Sequence, residues 1–199
     1  MRVLLRCASL LAIVCAAHLA QSADDGSEVS RGAEPIDAIW KVRGITFRYD
    51  SPSTFYYCDT LQRRVADIML AVGASEQMDV KAKCSVGPLI NSTTIRIVVG
   101  IPIEATRENL IAETTFDSRT MLIAEARNWT LATPETVHRF RAVPTDVSFN
   151  TFAASDCDLL EAISTQVFPQ LGIETKQALN CGGAQPLINL TVRALKPVQ

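Results

Sequence analysis

Four of the six cysteines of this chain, those after residue 22, raise the first chemical question. Cys58 and Cys157 each precede an aspartate and each open an apolar pattern typical of a helix. A thiol at a helix start faces the positive end of the helix dipole, which favours the thiolate and with it redox chemistry. The alternative is a structural disulfide with Cys84 or Cys181, as in exported proteins with an even number of cysteines. The chain has no Cys-x-x-Cys motif, so we favour two disulfides.

An internal duplication predicts how these cysteines pair. Residues 58–98 and 157–195 share Cys-Asp-x-Leu, a glycine fifteen positions after the first cysteine, and then a second cysteine. In both copies Pro-Leu-Ile-Asn follows, and an arginine stands twelve positions after the second cysteine. A unit copied whole carries its own bridge, so the duplication predicts Cys58–Cys84 and Cys157–Cys181.

Each unit is predicted to run strand, helix, strand, strand. After the first cysteine, large apolar residues recur at helical spacing. In the first unit they are Leu61, Val65, Ile68, Met69 and Val72. Gly73 and Gly172 are expected to close the two helices as C-caps, and Pro169 is expected to stop or kink the second helix early. Gly44 in the leading strand of the first unit suggests a β-bulge.

The predicted organisation has five parts. Residues 1–22 have the basic start, short apolar stretch and small-residue end of a secretory signal peptide, which we expect to be removed. Residues 23–35 are poor in apolar side chains and are expected to form a flexible tail. Unit one then spans 36–103, a bridge spans 104–146, and unit two spans 147–199.

The bridge is predicted to be rich in β-structure. Segments 109–116 and 120–126 are expected to form a hairpin, although the second segment also contains good helix formers. The fold class is therefore α+β, with helices on one face of a mainly antiparallel sheet and one disulfide in each unit. We expect one fused domain, because a unit of about 50 residues alone buries too little surface. The pattern leaves open whether the units share one sheet or form two lobes.

Composition restricts the partners. The chain has 19 basic and 21 acidic residues and a net charge of −2, with no basic run, which argues against a nucleic-acid partner. The apolar run at residues 7–17 is shorter than the roughly 20 residues of a transmembrane helix, so no transmembrane segment is predicted. We expect a periplasmic or secreted protein without a cofactor. The oligomeric state stays open.

Residues for catalysis are scarce. His138 is the one histidine outside the predicted signal peptide, and no Gly-x-Ser-x-Gly motif accompanies it. No histidines and cysteines stand at metal-ligand spacing. We therefore expect no catalytic residue and no metal site.

Two features indicate binding. Phe55, Tyr56 and Tyr57 lie in an insertion that unit two lacks, and Trp40 lies in the adjoining strand. These four rings are expected to form either an exposed interaction surface or a set of anchors that pin the loop to the core.

The second binding feature is a pair of arginines, Arg96 and Arg193, at equivalent positions of the two units. They would converge on a small anion site if the units pack with pseudo-twofold symmetry. The alternative is that both are solvated arginines on strands.

The combination of a signal peptide, an aromatic-rich strand before Cys-Asp-x-Leu, a Leu-Gly or Val-Gly helix end and a second cysteine resembles a family of secreted bacterial proteins of unknown function. The resemblance covers most of the chain after residue 22, and it implies export and structural disulfides. It brings no activity, ligand or catalytic residue with it.

Three functions follow from the sequence, in order of preference. The first is a non-catalytic secreted or periplasmic protein that binds another envelope or secreted protein through a sheet edge or the aromatic insertion. The second is a small-ligand or anion-binding protein that uses the cleft between the units. The third is a hydrolase with carboxylate chemistry.

Overall fold

A pair of long antiparallel strands forms the centre of the structure, a computed structural model that describes residues 33–84, 89–177, 179, 181 and 188–198. Strand β1 (Ile36–Asp50) pairs with β5 (Ser92–Glu104) in one unbroken register. Gly44 lies directly opposite Val98 within this register. The bulge expected at Gly44 is therefore wrong, because the pairing continues through it without an extra residue.

The other elements fill the chain around this pair. In order they are β2 (Tyr56–Tyr57), α1 (Cys58–Ala71), β3 (Asp79–Ala82), β4 (Leu89–Ile90), α2 (Arg107–Thr114), α3 (Ser118–Ala126), β6 (Phe140–Ser148), α4 (Cys157–Gln166), α5 (Phe168–Leu171), β7 (Glu174–Gln177) and β8 (Thr191–Pro197). A 3₁₀ turn at Ala154–Asp156 leads into α4. The fold is α+β, as predicted.

The two halves of the chain share one sheet. The first half, β1 to β5, and the second half, β6 to β8, combine in the strand order β3-β5-β1-β6-β8-β7, and all described pairings are antiparallel. The halves join where Ile36–Ala38 pairs with Phe140–Ala142. Within the six-stranded sheet the first half runs β1, α1, β3, β5 and the second half runs β6, α4 and α5, β7, β8. The first half also contains the short strands β2 and β4, which pair with each other. The origin of the two halves by duplication stays a prediction.

One hydrophobic cluster joins both halves. Ile45 and Phe47 of β1 are buried together with Leu160 and Ile163 of α4, so a helix of the second half packs against a strand of the first. The alternate residues of β1, such as Thr46 between Ile45 and Phe47, are exposed. The helices thus cover one face of β1 and leave the other face open.

Both predicted disulfides are confirmed. Cys58 is bonded to Cys84 and Cys157 to Cys181. Each bridge ties the first residue of a helix to the segment that follows the next strand. Since all four sulfurs are used, the redox alternative is not supported for the oxidised protein.

The predicted helix ends are also confirmed. The apolar stripe of α1 is buried at Leu61, Val65, Ile68 and Met69. Gly73 and Gly172 follow the helices with φ angles of 83° and 74°, the left-handed conformation that glycine adopts at little cost. Around Pro169 the second helix breaks, since α4 ends at Gln166 and α5 begins at Phe168.

The prediction of a β-hairpin in the bridge is wrong. The segments 109–116 and 120–126 are largely helical, in α2 and α3. Each helix begins at a polar cap: the Thr106 side chain accepts a hydrogen bond from the Asn109 N–H, and Asp117 accepts one from the Thr120 N–H at 2.6 Å. The second bond, with the backbone amide, lowers the pKa of Asp117. These caps, together with the good helix formers of the second segment, favour helix over the predicted hairpin.

Several predictions fall on parts that are not described. The predicted signal peptide, most of the predicted tail, and the prolines Pro88 and Pro186 lie outside the described residues. None of the helices in the described part has the length and apolar character of a membrane-spanning segment.

Gly73 and Gly172 offer a matched test of how tightly the halves are joined. We expect Gly172→Ala to cost about 1–2 kcal/mol of stability, because its left-handed backbone disfavours a Cβ while no atom lies within 4 Å of that Cβ. At Gly73 a Cβ would lie 2.5 Å from the backbone oxygen of Leu195, which adds an overpacking cost of about 1–3 kcal/mol. Urea unfolding of both variants measures the difference. Equal losses would contradict the close approach of α1 to β8.

Candidate functional site

Residues 51–57, the aromatic loop, carry two exposed rings and one buried ring. Tyr56 and Tyr57 pair with Ile90 and Leu89 of β4 in a two-stranded ladder. Because side chains alternate along a strand, Tyr56 turns inward and is only 7% exposed, whereas Phe55 and Tyr57 turn outward and are 55% and 57% exposed. The ring of Tyr56 therefore anchors the loop, and the rings of Phe55 and Tyr57 are exposed to solvent.

The anchor contacts the second half of the chain. The Tyr56 hydroxyl donates to Asp156 Oδ1 at 2.7 Å and lies 3.1 Å from the carbonyl oxygen of Ser155. Asp156 is 1% exposed, and its Oδ1 lies 3.7 Å from Nε of Arg64 on α1. A buried carboxylate is costly unless it is paired and hydrogen-bonded. The hydroxyl and the guanidinium together offset that cost.

A second tyrosine supports the anchor. The ring of Tyr49 is fully buried and meets the Tyr56 ring edge-on at 5.8 Å, and its hydroxyl donates to the Thr54 carbonyl at 3.3 Å. Burial raises the pKa of Tyr49 to about 12. Burial and the hydrogen bond to Asp156 raise the pKa of Tyr56 further still. Both hydroxyls therefore stay neutral hydrogen-bond donors at physiological pH.

Ser51 closes the base of the loop. Its hydroxyl donates to Asp158 Oδ2 on α4 and accepts a hydrogen bond from the Thr54 N–H at 2.8 Å. Its backbone N–H donates to the Asn91 carbonyl at 2.8 Å. The loop is thus tied to α4 and to the start of β5 as well as to its own tip.

The outward side chains form an apolar surface, here called the aromatic surface: Phe55, Tyr57 and Leu89. Leu89 is 49% exposed and lies directly opposite Tyr57 in the ladder, so the two side chains share one face. The adjacent Cys58–Cys84 bridge ties the start of α1 to the segment after β3. The β2–β4 pairing and the Cys58–Cys84 disulfide together hold this surface in place.

Trp40 does not belong to this surface. It lies ten positions before the end of β1, roughly 33 Å away along a strand at about 3.3 Å per residue. Its ring stacks on Phe140 of β6 at 4.6 Å instead. Neither alternative holds for all four rings: Trp40 is distant from the loop, Tyr56 pins the loop to the core, and Phe55 and Tyr57 are exposed.

The structure does not bring Arg96 and Arg193 together. Arg193 lines a cavity between the halves, with the end of β5 from Ile101 to Glu104 in its wall. Arg96 is exposed five residues before Ile101, about 17 Å along the strand at about 3.3 Å per residue. A shared anion site is therefore not formed.

Acidic groups meet at a second cavity of about 500 Å³ that includes Asp50, Asp158 and Glu161 in its wall. Asp158, Glu161 and Cys181 place their ligand atoms within 4.8 Å of one another. However, the Cys181 sulfur is in a disulfide and Asp158 already accepts the Ser51 hydroxyl. Two carboxylates remain, which is less than the three protein ligands of a typical catalytic zinc site.

His138 has no catalytic partner in the part of the chain that the structure describes. Its ring faces Phe140 at 6.4 Å, and no described hydrogen bond joins it to a hydroxyl or a carboxylate. A nucleophile and its base need to lie within hydrogen-bond reach, which is not the case here.

The strand prediction for the bridge missed an exposed apolar set. Four large side chains of α2 and α3, and the tryptophan that follows, are 39–65% exposed. They are Ile111, Met121, Leu122, Ile123 and Trp129. Thr106 and Asp117 are residue types preferred at helix N-caps, which is the signal in the sequence that favours helices here.

Comparisons with known proteins identify no relative of this chain. No family model, curated protein or solved structure matches the chain. The resemblance to secreted bacterial proteins stays a prediction, and function is argued from the site alone.

Tyr56→Phe tests the anchor. The variant keeps the buried ring and removes only the hydroxyl, leaving Asp156 without its closest donor. We expect a loss of about 1.5–3 kcal/mol in the free energy of unfolding, the range for hydrogen bonds to charged groups. Tyr57→Phe is the matched control, with an expected change within about 0.5 kcal/mol. Urea unfolding gives both values; a loss in Tyr56→Phe no larger than in the control would contradict the anchor.

The buried tyrosines also predict alkaline sensitivity. Tyr49 has a folded pKa of about 12 against 10.0 when free. Its contribution to stability is fully present below pH 10 and is lost as the pH rises toward 12, by about 1.4 kcal/mol per pH unit. Unfolding curves on both sides of pH 10 should show this decline, and Tyr49→Phe should make it shallower. An unchanged slope in the variant would exclude Tyr49 as a source.

Proposed function

We propose that this chain is an exported, non-catalytic binding protein that recognises another secreted or envelope protein through Phe55, Tyr57 and Leu89. The observation that carries the proposal is the alternation in the aromatic loop. One buried tyrosine is bonded to a buried carboxylate, and the two rings beside it are held in solvent.

Exposed aromatic side chains suit protein recognition. Tyrosine and other aromatic residues are enriched among the residues that contribute most to interface affinity, and they bury large areas with few rotatable bonds. A fixed loop loses little conformational entropy on binding. The Tyr56 anchor and the Ser51 contacts supply that rigidity before any partner arrives.

Export agrees with the covalent structure. Two disulfides form readily outside the reducing cytosol. They support export together with the signal-like residues 1–22.

A duplicated unit would supply the scaffold for this surface. We propose that the mirrored strand order arose from two copies of one unit. Unit one carries the insertion with Phe55, Tyr56 and Tyr57 that unit two lacks. This difference in sequence supplies two of the three residues of the proposed binding surface.

The double variant Phe55→Ser, Tyr57→Ser tests this function. Partner capture from the envelope and medium of the producing cells is expected to fall by about tenfold or more, because each such aromatic contact is worth about 2 kcal/mol at an interface. Leu122→Ser is the matched control, since Leu122 is 65% exposed on α3 and should leave capture unchanged.

A photoreactive phenylalanine analogue localises the contact. Placed at position 57 it is expected to form an adduct with the same partner, and at position 122 it is not. Undiminished capture by the double variant, or an adduct from position 122 alone, would move the interface to α3 and contradict the proposal.

A further inference from the structure

A cavity of about 380 Å³ lies where the two halves of the chain meet. Its walls are mainly apolar and come from α1, β5, α5 and β8, through side chains such as Val72, Ile101, Leu171 and Leu195. Ligand pockets typically occupy about 300–1,000 Å³ and combine apolar walls with a few polar groups. The cavity is therefore of a size that suits a small, compact ligand.

Three charged side chains line this cavity: Glu104, Glu174 and Arg193. Neither glutamate forms an ion pair within the described residues. The positive charge of Arg193 is partly neutralised by Asp146, because Arg193 Nη1 lies 3.8 Å from Asp146 Oδ1. The lining side chains thus carry an excess of negative charge.

One helix end adds to that negative character. Val72, the C-cap of the 14-residue helix α1, lies in the cavity wall. The C-terminal end of a helix carries partial negative charge and favours a nearby cation, so this end acts in the same direction as the glutamates.

We propose that this junction cavity binds a small aliphatic primary amine. The ammonium group is bound by Glu104, Glu174 and the end of α1, and the carbon chain packs on the apolar walls. The site is separate from the aromatic surface and does not depend on the proposed function.

The charge balance decides against the anion expected from the arginines. Arg96 is not in the cavity wall, so one guanidinium faces two carboxylates. A carboxylate ligand would gain from Arg193 but would be repelled by both glutamates, whereas an amine meets the opposite balance. The two ligand classes therefore predict opposite effects of removing Arg193.

Three probes of nearly equal shape test the site: isopentylamine, isopentanol and isovalerate. Titration calorimetry on the full chain is expected to show the amine binding about two- to fivefold more tightly than the alcohol, the effect of a solvent-exposed charge interaction, and the carboxylate binding weakest. Isovalerate as the tightest probe, or no heat from any of the three, would overturn the proposal.

Charge variants locate the recognition. Glu104→Gln and Glu174→Gln should each weaken amine binding several-fold, while Arg193→Gln should leave it equal or tighter. Glu108→Gln, an exposed acid on α2 outside the cavity wall, is the matched control and should change nothing. All four positions are exposed, so the variants are expected to fold, which a thermal melt checks. Loss of binding in Arg193→Gln alone would overturn the amine assignment.

Discussion

The hydrogen bond between the Tyr56 hydroxyl and the buried Asp156 carboxylate determines where the aromatic loop lies. Asp156 belongs to the second half of the chain and Tyr56 to the first, so the bond fixes the loop only when both halves are folded together. Burial makes the loss of this bond costly, because removing a donor from a buried carboxylate costs more free energy than the same bond is worth in water. Because neighbouring side chains point to opposite sides, burying Tyr56 leaves Phe55 and Tyr57 exposed.

The same junction explains why the halves are not independent. Helix α4 packs on β1, and Gly73 at the end of α1 approaches the backbone of β8. Each half therefore packs a helix against a strand of the other, and the shared hydrophobic cluster includes side chains of both. The two candidate sites lie at different places along this junction, the aromatic surface near the start of α4 and the cavity near the ends of α1 and α5.

Local patterns in the sequence predicted the disulfides and helix α1 well. The cysteine-containing pattern shared by residues 58–98 and 157–195 predicted both disulfides, and helical spacing predicted the buried stripe from Leu61 to Met69. Properties that depend on strand length and register were not accessible. The distance from Trp40 to the loop follows from the full length of β1, and the separation of Arg96 from the cavity follows from where β5 meets β8. In the bridge, apolar residues suited both strand and helix, and the Thr106 and Asp117 caps decided for helix.

Hydrogen exchange of the loop amides tests most directly whether the second half holds the loop in place. The N–H groups of Ser51 and Thr54 report on the loop, since both are bonded within or beside it. In Tyr56→Phe they are expected to exchange about tenfold or more faster than in the parent chain, the effect of about 1.4 kcal/mol on local opening, while amides of β1 and β5 keep their protection. Unchanged exchange at Ser51 and Thr54 would contradict the claim that the bond to Asp156 positions the aromatic surface.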